Sequence, residues 1–282
     1  MRRFKISACT ANFGRADLFR IVDRLAHHGY DGAEITVMYH AAPDETSTGR
    51  RREIKNHIRQ AGLAISALHF IFPSAMRMAS DDRGERDRVV RHAEAVLGLA
   101  SDLEAPTIMI GAPAQRSIPA SVARELGLSR VLEVFTKIAR KAEQTGTIAC
   151  FEALNRYETN VGRTLAECAS YVEQIGSPNL MVGGDTFHMN IDEADMGKAV
   201  ENVAHRLGHL HVEDSHRMAP GGGHIDFAPI FSALRRADYS RFLSFEMFGI
   251  APDIPYLPTF EACDVEAAKA VERVRAVESM LE

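Results

Sequence analysis

The sequence predicts an α/β protein that folds as a single (β/α)8 TIM barrel over residues 1–282. Short apolar runs alternate eight times with segments whose apolar residues recur at helical spacing, a pattern typical of a parallel sheet covered by helices. The chain has 282 residues, close to the roughly 250 of a typical barrel. No linker or change in composition divides it, so we expect one domain.

The first four strand–helix units occupy the N-terminal half. Leu18, Ile21 and Leu25 share one face of the first predicted helix, and Gly29 supplies its stop. Gly62 ends the second helix in the same way. The predicted strands are 3–9, 33–36, 64–70 and 107–110, and the predicted helices are 17–28, 51–60, 83–103 and 121–144.

The second half repeats the pattern. Gly146 precedes an apolar run that ends at Glu152, and Thr164 with Glu167 forms a capping-box signature that opens the next helix. The predicted strands are 147–152, 180–185, 207–212 and 242–247, and further helices are predicted at 195–204, 227–236 and 265–280.

Composition and charge argue against several classes of protein. The formal net charge is −5, whereas a nucleic-acid-binding surface needs a basic excess. No stretch approaches the roughly 20 apolar residues of a membrane span, and the basic start, 1–5, lacks the apolar segment of a signal peptide. The four cysteines show no paired spacing, so we expect reduced thiols in a cytoplasmic protein.

Four polar side chains fall at the ends of four consecutive predicted strands, five to eight: Glu152, Asp185, His211 and Glu246. Because the C-terminal ends of barrel strands meet at one mouth, these side chains should converge. Three carboxylates beside one imidazole would repel one another without a cation, and such an oxygen-rich set suits Mn²⁺ or Mg²⁺ better than structural zinc. For any one of them alone, a buried hydrogen-bonded role is the alternative.

Alternation along each strand identifies the residues beneath these side chains. Three of them are small: Cys150, Gly183 and Ser244. We expect them to leave room at the barrel mouth; the bulky exception is His209, beneath His211.

Two further side chains are candidates for substrate contact. His188 lies three residues after Asp185, and Arg217 follows strand seven. A cationic side chain at that position could stabilise an anionic intermediate. A hydrogen bond within a loop for His188 and a surface position for Arg217 are the alternatives.

At these residues the chain resembles the ketose 3-epimerases (D-tagatose and D-psicose 3-epimerases), within the wider xylose-isomerase-like group of sugar phosphate isomerases and epimerases. The matching segments lie in the C-terminal half: EALNRYE at 152–158, DTFHMN at 185–190, HLHVEDSHR at 209–217, the PGGG turn at 220–223, and Glu246.

The resemblance implies a Mn²⁺ site, with Mg²⁺ or Co²⁺ as alternative ions, formed by Glu152, Asp185, His211 and Glu246. It also implies three substrate-binding residues, Glu158, His188 and Arg217. Finally, it implies that Glu152 and Glu246 exchange the proton at C3 of a ketose. This agrees with the chemistry, because epimerisation removes a proton beside a carbonyl and returns it to the other face of a cation-stabilised enediolate.

The N-terminal half departs from the narrower ketose 3-epimerase pattern. Those enzymes present tryptophans near the sugar, and this chain has none. The candidates for a wall against the sugar are Phe13, His69, Phe70, Phe72, Phe248 and Tyr256. Arg116 could meet an acidic or phosphorylated substrate or lie at the surface. The 220–223 turn lies where barrels often bind phosphate, although a tight turn into the next helix is the simpler interpretation.

Other functions on the same scaffold stay open. Hydroxypyruvate or a phosphorylated or acidic sugar is an alternative substrate. An apurinic endonuclease would share the Asp-Thr-x-His pattern of strand six, but it would need further metal ligands and a basic groove. A non-catalytic carbohydrate sensor would have no need for the pair Glu152 and Glu246.

The segment 249–260 carries three prolines and the apolar residues Ile254, Tyr256, Leu257 and Phe260. Proline prevents a helix there, and the apolar side chains should not be freely solvated. We therefore expect the segment to cover the metal site or to pack against a second subunit, with packing on the outer helices as the alternative. We expect a homo-oligomer, either a dimer or a tetramer, that binds a small-molecule sugar and neither nucleic acid nor membrane.

Overall fold

A computed structural model describes residues 3–247 and 259–281, and its eight parallel strands close into a barrel in sequence order. The strands are β1 (Lys5–Cys9), β2 (Gly32–Thr36), β3 (Ala64–His69), β4 (Thr107–Ile110), β5 (Ile148–Glu152), β6 (Leu180–Asp185), β7 (Leu207–His211) and β8 (Phe242–Phe245). Pairing of β8 with β1 closes the sheet. The predicted (β/α)8 barrel is confirmed.

Helices surround the barrel. Those in the described part of the chain are α1 (Leu18–His27), α2 (Val37–His40), α3 (Thr48–Gln60), α4 (Arg83–Leu103), α5 (Pro113–Arg116), α6 (Arg124–Thr145), α7 (Leu165–Ile175), α8 (Thr186–Asp192), α9 (Met196–Val203), α10 (Phe227–Arg236) and α11 (Phe260–Met280), with 3₁₀ turns at Thr10–Phe13 and Ala204–Arg206.

The predicted elements agree with these bounds apart from their ends and three short helices. The short helices α2, α5 and α8 each follow a strand within the barrel mouth and were not predicted. Helix α11 begins five residues early because the Thr259 side chain accepts a hydrogen bond from the backbone N–H of Ala262 (3.1 Å). Strand β3 ends at His69 because Phe70 adopts a left-handed backbone, with φ of 48°.

The apolar layer between strands and helices decides which way each strand faces. Phe151 of β5 stacks on Phe135 of α6, with 4.0 Å between the ring centroids. Burial of such a side chain stabilises the fold by roughly 1.5–3 kcal/mol. Since neighbours along a strand face opposite sides, the outward Phe151 turns Glu152 into the barrel.

Part of the last predicted loop lies outside the described residues. This applies to residues 248–258, and so to the expectations for Phe248 and Tyr256 and for most of the segment 249–260. The last residue of that segment, Phe260, lies in α11 with its ring centroid 5.0 Å from that of Phe13. Among the described helices, none is long and apolar enough to cross a membrane.

Candidate active site

The four side chains predicted to converge lie at the C-terminal mouth of the barrel. Glu152, Asp185 and His211 end β5, β6 and β7, and Glu246 follows β8 by one residue. All four are at most 1% exposed. Buried carboxylates at this density require positive partners, because an isolated buried charge is strongly disfavoured.

One imidazole joins the two glutamates. Nδ1 of His211 lies 3.2 Å from Oε1 of Glu152 and 3.4 Å from Oε2 of Glu246. The ring of His69 completes this group, with its Nδ1 2.8 Å from Oε1 of Glu246. One donor atom from each of the four residues lies within 4.8 Å of the others.

Electrostatics in this group favour the ionised carboxylate. Burial alone would raise the pKa of Glu246, but the facing His69 and His211 imidazoles hold it well below its usual range. For His211 the signs are opposite. Burial alone would lower its pKa, but Glu34, Glu246 and Glu152 raise it well above the ordinary histidine value. The pocket therefore concentrates charge of both signs.

Asp185 belongs to a neighbouring group that shares Glu246. Its carboxylate lies with those of Glu213 and Glu246, donor atoms again within 4.8 Å. Its Oδ1 caps α8 by accepting the backbone N–H of His188 (3.0 Å), while no described residue hydrogen-bonds its fully buried Oδ2. Burial and the Asp185 carboxylate raise the pKa of Glu213 well above its usual range.

The predicted substrate-binding residues lie beside these carboxylates. The backbone N–H of Asn155 donates to Nδ1 of His188 (3.3 Å), and Nε2 of the same ring faces Arg217. Nη2 of Arg217 lies 3.2 Å from that Nε2 and 3.4 Å from Glu246, and Nη1 lies 3.7 Å from Glu158. The structure thus brings Glu158, His188 and Arg217 together.

A cavity of about 550 Å³ opens over the site, within the range of small-molecule pockets. Its charged and histidine side chains are His69, Glu152, Glu158, His188, Arg217 and Glu246, and Ser74 and Gln115 also line it. Phe70 and Phe72 belong to its apolar wall, as considered from the sequence, whereas Phe13 is not among its described lining residues.

Neither feature considered for phosphate binding is available for it. Arg116 is fully buried, so a surface position is wrong, and it donates to the backbone carbonyls of Ile110 and Gly162 (3.3 and 3.2 Å). The 220–223 turn wraps around the carboxylate of Asp214, which accepts the backbone N–H groups of Ser215, Gly221 and Ile225. The simpler interpretation of that turn agrees with the structure.

From the sequence we expected the small residues beneath the site to leave room at the barrel mouth. In the structure, larger side chains occupy that space. A Cβ on Gly183 would lie 2.6 Å from the sulfur of Met109, so Met109 fills that position. Ser244 leaves room for Glu34, to which its hydroxyl donates. Small side chains here make room for larger ones from other strands.

Two buried acids of the site were missed by reasoning from the sequence. Glu34 lies inside the short β2 strand, and Glu213 follows β7 by two residues. The available signal was the same for both: a carboxylate within or beside an apolar strand is costly unless it has a partner.

The donors fit a divalent cation. The set offers carboxylate oxygens with one or two imidazole nitrogens, which suits ions such as Mn²⁺. The buried Oδ2 of Asp185 has no hydrogen bond from the described residues, and its neighbours His188 and Arg217 lie 3.6 and 3.7 Å away, which is compatible with a role as a metal ligand. The ligand assignment to Glu152, Asp185, His211 and Glu246 stays a prediction.

Comparison with known proteins identifies the family. The family model described as "Xylose isomerase-like TIM barrel" matches residues 22–270. L-ribulose 3-epimerase of Mesorhizobium japonicum is 30% identical over 239 residues, 85% of this chain and 78% of the relative. D-psicose 3-epimerase of Agrobacterium fabrum is 31% identical over 233 residues, 80% of this chain and 78% of the relative.

Among solved structures, D-psicose 3-epimerase from Clostridium cellulolyticum H10, determined with D-tagatose, matches with a TM-score of 0.87. The two sequences are 25% identical, and the match covers 99% of each chain. The chain therefore belongs to the xylose isomerase-like TIM barrel family, where it groups with ketose 3-epimerases, and it is an epimerase of the isomerase class.

Proposed function

We propose that this enzyme inverts the configuration at C3 of an unphosphorylated ketose, using a divalent cation and a pair of glutamates. The observation that carries the proposal is the position of Glu152 and Glu246. Their carboxylates lie 3.2 and 3.4 Å from the same nitrogen of His211, and both line the cavity. Names of the relatives, L-ribulose and D-psicose 3-epimerase, agree with this reaction.

Glu152, Asp185, His211 and Glu246 would hold the cation, with Mn²⁺ as the proposed ion. When bound, such an ion supplies Lewis-acid stabilisation of negative charge on the ketose oxygens. Glu152 and Glu246 would act on opposite faces of the sugar, one removing the C3 proton and the other returning a proton. Roles reverse with the direction of the reaction.

The remaining polar residues would bind and orient the sugar. Nε2 of His188 lies 3.2 Å from Nη2 of Arg217 and beside the carboxylates, so these two side chains would together contact a substrate oxygen that gains negative charge. Arg217 is held by Glu246 and Glu158 and by the ring of Phe187, 4.6 Å from its guanidinium carbon. Glu158, about one-third exposed, would accept from sugar hydroxyls at the mouth.

Support for an unphosphorylated substrate comes from the rest of the cavity. Away from the carboxylates, the described lining consists mainly of apolar residues, including Phe70, Ile71, Phe72 and Pro113. Arg116 and the backbone N–H of Gly221 in the 220–223 turn are already hydrogen-bonded within the protein. A phosphate dianion would therefore find no prepared partner among these groups.

The test is an assay of free ketopentoses and ketohexoses, each beside its terminal phosphate, in D₂O with added Mn²⁺. We expect turnover of free sugars, with solvent deuterium at C3 of the product. Turnover of the phosphates alone would contradict the substrate proposal. A product without solvent label would contradict proton exchange and indicate hydride transfer between carbons.

A further inference from the structure

A buried carboxylate on β2 lies beneath the candidate metal ligands. Glu34 is fully buried and is not among the described residues that line the cavity. Its neighbours in β2 are uncharged. Because a buried carboxylate is costly unless it is paired and hydrogen-bonded, its contacts indicate its role.

Those contacts centre on His211. Both carboxylate oxygens of Glu34 lie 3.1 Å from Nε2 of His211. The hydroxyl of Ser244 donates to Oε2, and Nε2 of His209 lies 3.4 Å from Oε1. Groups from β7 and β8 thus hold the carboxylate in one orientation.

This arrangement determines what the other side of the His211 ring offers. In the neutral form of His211, which a cation would require, the proton on Nε2 is donated to Glu34 and Nδ1 keeps its lone pair. Nδ1 is the atom that lies 3.2 Å from Glu152 and 3.4 Å from Glu246. A metal-bound histidine commonly donates its second ring N–H to a carboxylate, which fixes the tautomer and the ring orientation.

We propose that Glu34 is a positioning residue that orients His211 so that Nδ1 faces the metal site. The inference rests on the proposed function, since it assumes that a cation binds between Glu152, His211 and Glu246. Glu34 acts only through His211 and does not contact the substrate.

The experiment measures Mn²⁺ binding without substrate, by titration calorimetry and by the electron paramagnetic resonance spectrum of the bound ion. The variants are Glu34→Ala, which removes the acceptor, and Glu34→Gln, which keeps its shape and an uncharged acceptor oxygen. We expect the Mn²⁺ dissociation constant to rise about 10- to 100-fold for Glu34→Ala. Glu34→Gln should show a smaller rise and an altered spectrum.

Glu278→Gln is the matched control. Glu278 is also a buried carboxylate, but it accepts the backbone N–H of Phe4 (2.7 Å), which precedes β1 at the opposite end of the barrel. The Glu278→Gln variant should be less stable than the wild type and should keep wild-type Mn²⁺ affinity. An unchanged dissociation constant in both Glu34 variants, or an equal rise in the control, would overturn the inference. Failure of the wild-type protein to bind Mn²⁺ would instead overturn the proposed function.

Discussion

Nδ1 of His69 lies 2.8 Å from Oε1 of Glu246. Its other ring nitrogen, Nε2, lies 4.0 Å from Oε2 of Glu152. One imidazole on β3 therefore lies between the two carboxylates proposed to exchange the substrate proton. Because it contacts Glu246 directly, it can hold that carboxylate in the position needed for catalysis.

We expect His69→Ala to lower kcat by about 10²-fold, since a displacement near 1 Å in an active site has an effect of that size. Mn²⁺ affinity should change only a few-fold, because the four proposed ligands remain. Cys9→Ala is the control: its sulfur lies 3.8 Å from Nδ1 of His69, and no hydrogen bond joins it to Glu152 or Glu246 in the described structure. A loss of Mn²⁺ binding as large as that of His211→Ala would contradict this role and identify His69 as a ligand.

Glu152→Gln and Glu246→Gln should each lower turnover by at least about 10²- to 10⁴-fold, the range typical of a lost acid–base group. The amide keeps the shape of the carboxylate but cannot exchange the proton. Circular dichroism should show that the fold persists. Glu193→Gln removes a half-buried carboxylate outside the site, which accepts the backbone N–H of Leu165, and should keep normal turnover. Near-normal turnover in either site variant would reject the two-glutamate exchange.

The barrel was predictable because the apolar runs of its strands and the helical spacing of apolar residues in its helices are both visible in the sequence. Eight apolar runs alternate with helical patterns, and the order of the strands then follows from the usual connection of parallel strands. The short helices after strands were not predictable in this way. Helix α8, for example, depends on Asp185 capping the N–H of His188, and a helix of one or two turns carries little periodic signal.

Reasoning from strand ends located one part of the site, and the resemblance to a known family added Glu158, His188 and Arg217. The strand ends indicated Glu152, Asp185, His211 and Glu246, yet they did not assign Glu34 a role beneath His211. The contact between Glu34 and His211 joins residues 177 positions apart, and nothing local in the sequence links β2 to β7. The sequence also could not show that Glu152 lies with His69 and His211 while Asp185 lies with Glu213, because this division depends on the directions of the side chains.

Gly111 tests how closely Glu152 is confined. A Cβ at this position would lie 2.4 Å from Oε2 of Glu152, so Gly111→Ala must displace the carboxylate. We expect kcat to fall about 10²-fold while the protein stays folded. Gly98→Ala is the control, since nothing lies within 4 Å of its added Cβ in α4, and it should stabilise the protein by roughly 0.5–1 kcal/mol. Equal kinetics in wild type and Gly111→Ala would show that the carboxylate tolerates displacement.

Asp264 joins the last helix to the first. Its Oδ2 lies 2.7 Å from Nη2 of Arg24, and its Oδ1 lies 2.7 Å from Nε2 of His28. Burial alone would raise the pKa of Asp264, but hydrogen bonds from Arg24 and His28 lower it below the ordinary 3.8. A lowered pKa in the folded protein means that ionised Asp264 stabilises the fold above about pH 4, and that this stabilisation is lost as pH falls through the folded-state pKa.

Asp264→Asn should therefore lower the free energy of unfolding by about 1 kcal/mol at pH 7, a modest value because Arg24 is partly exposed and solvent screens the pair. The difference from wild type, measured by urea unfolding at several pH values, should shrink below pH 4. Asp23→Asn is the control on α1: Asp23 is 63% exposed on its side chain and also pairs with a histidine, His57 (2.8 Å). Exposed pairs of this kind contribute little, so its effect should be near zero throughout. A constant difference between Asp264→Asn and wild type down to the lowest pH would show that the carboxylate's charge does not stabilise the contact between α1 and α11.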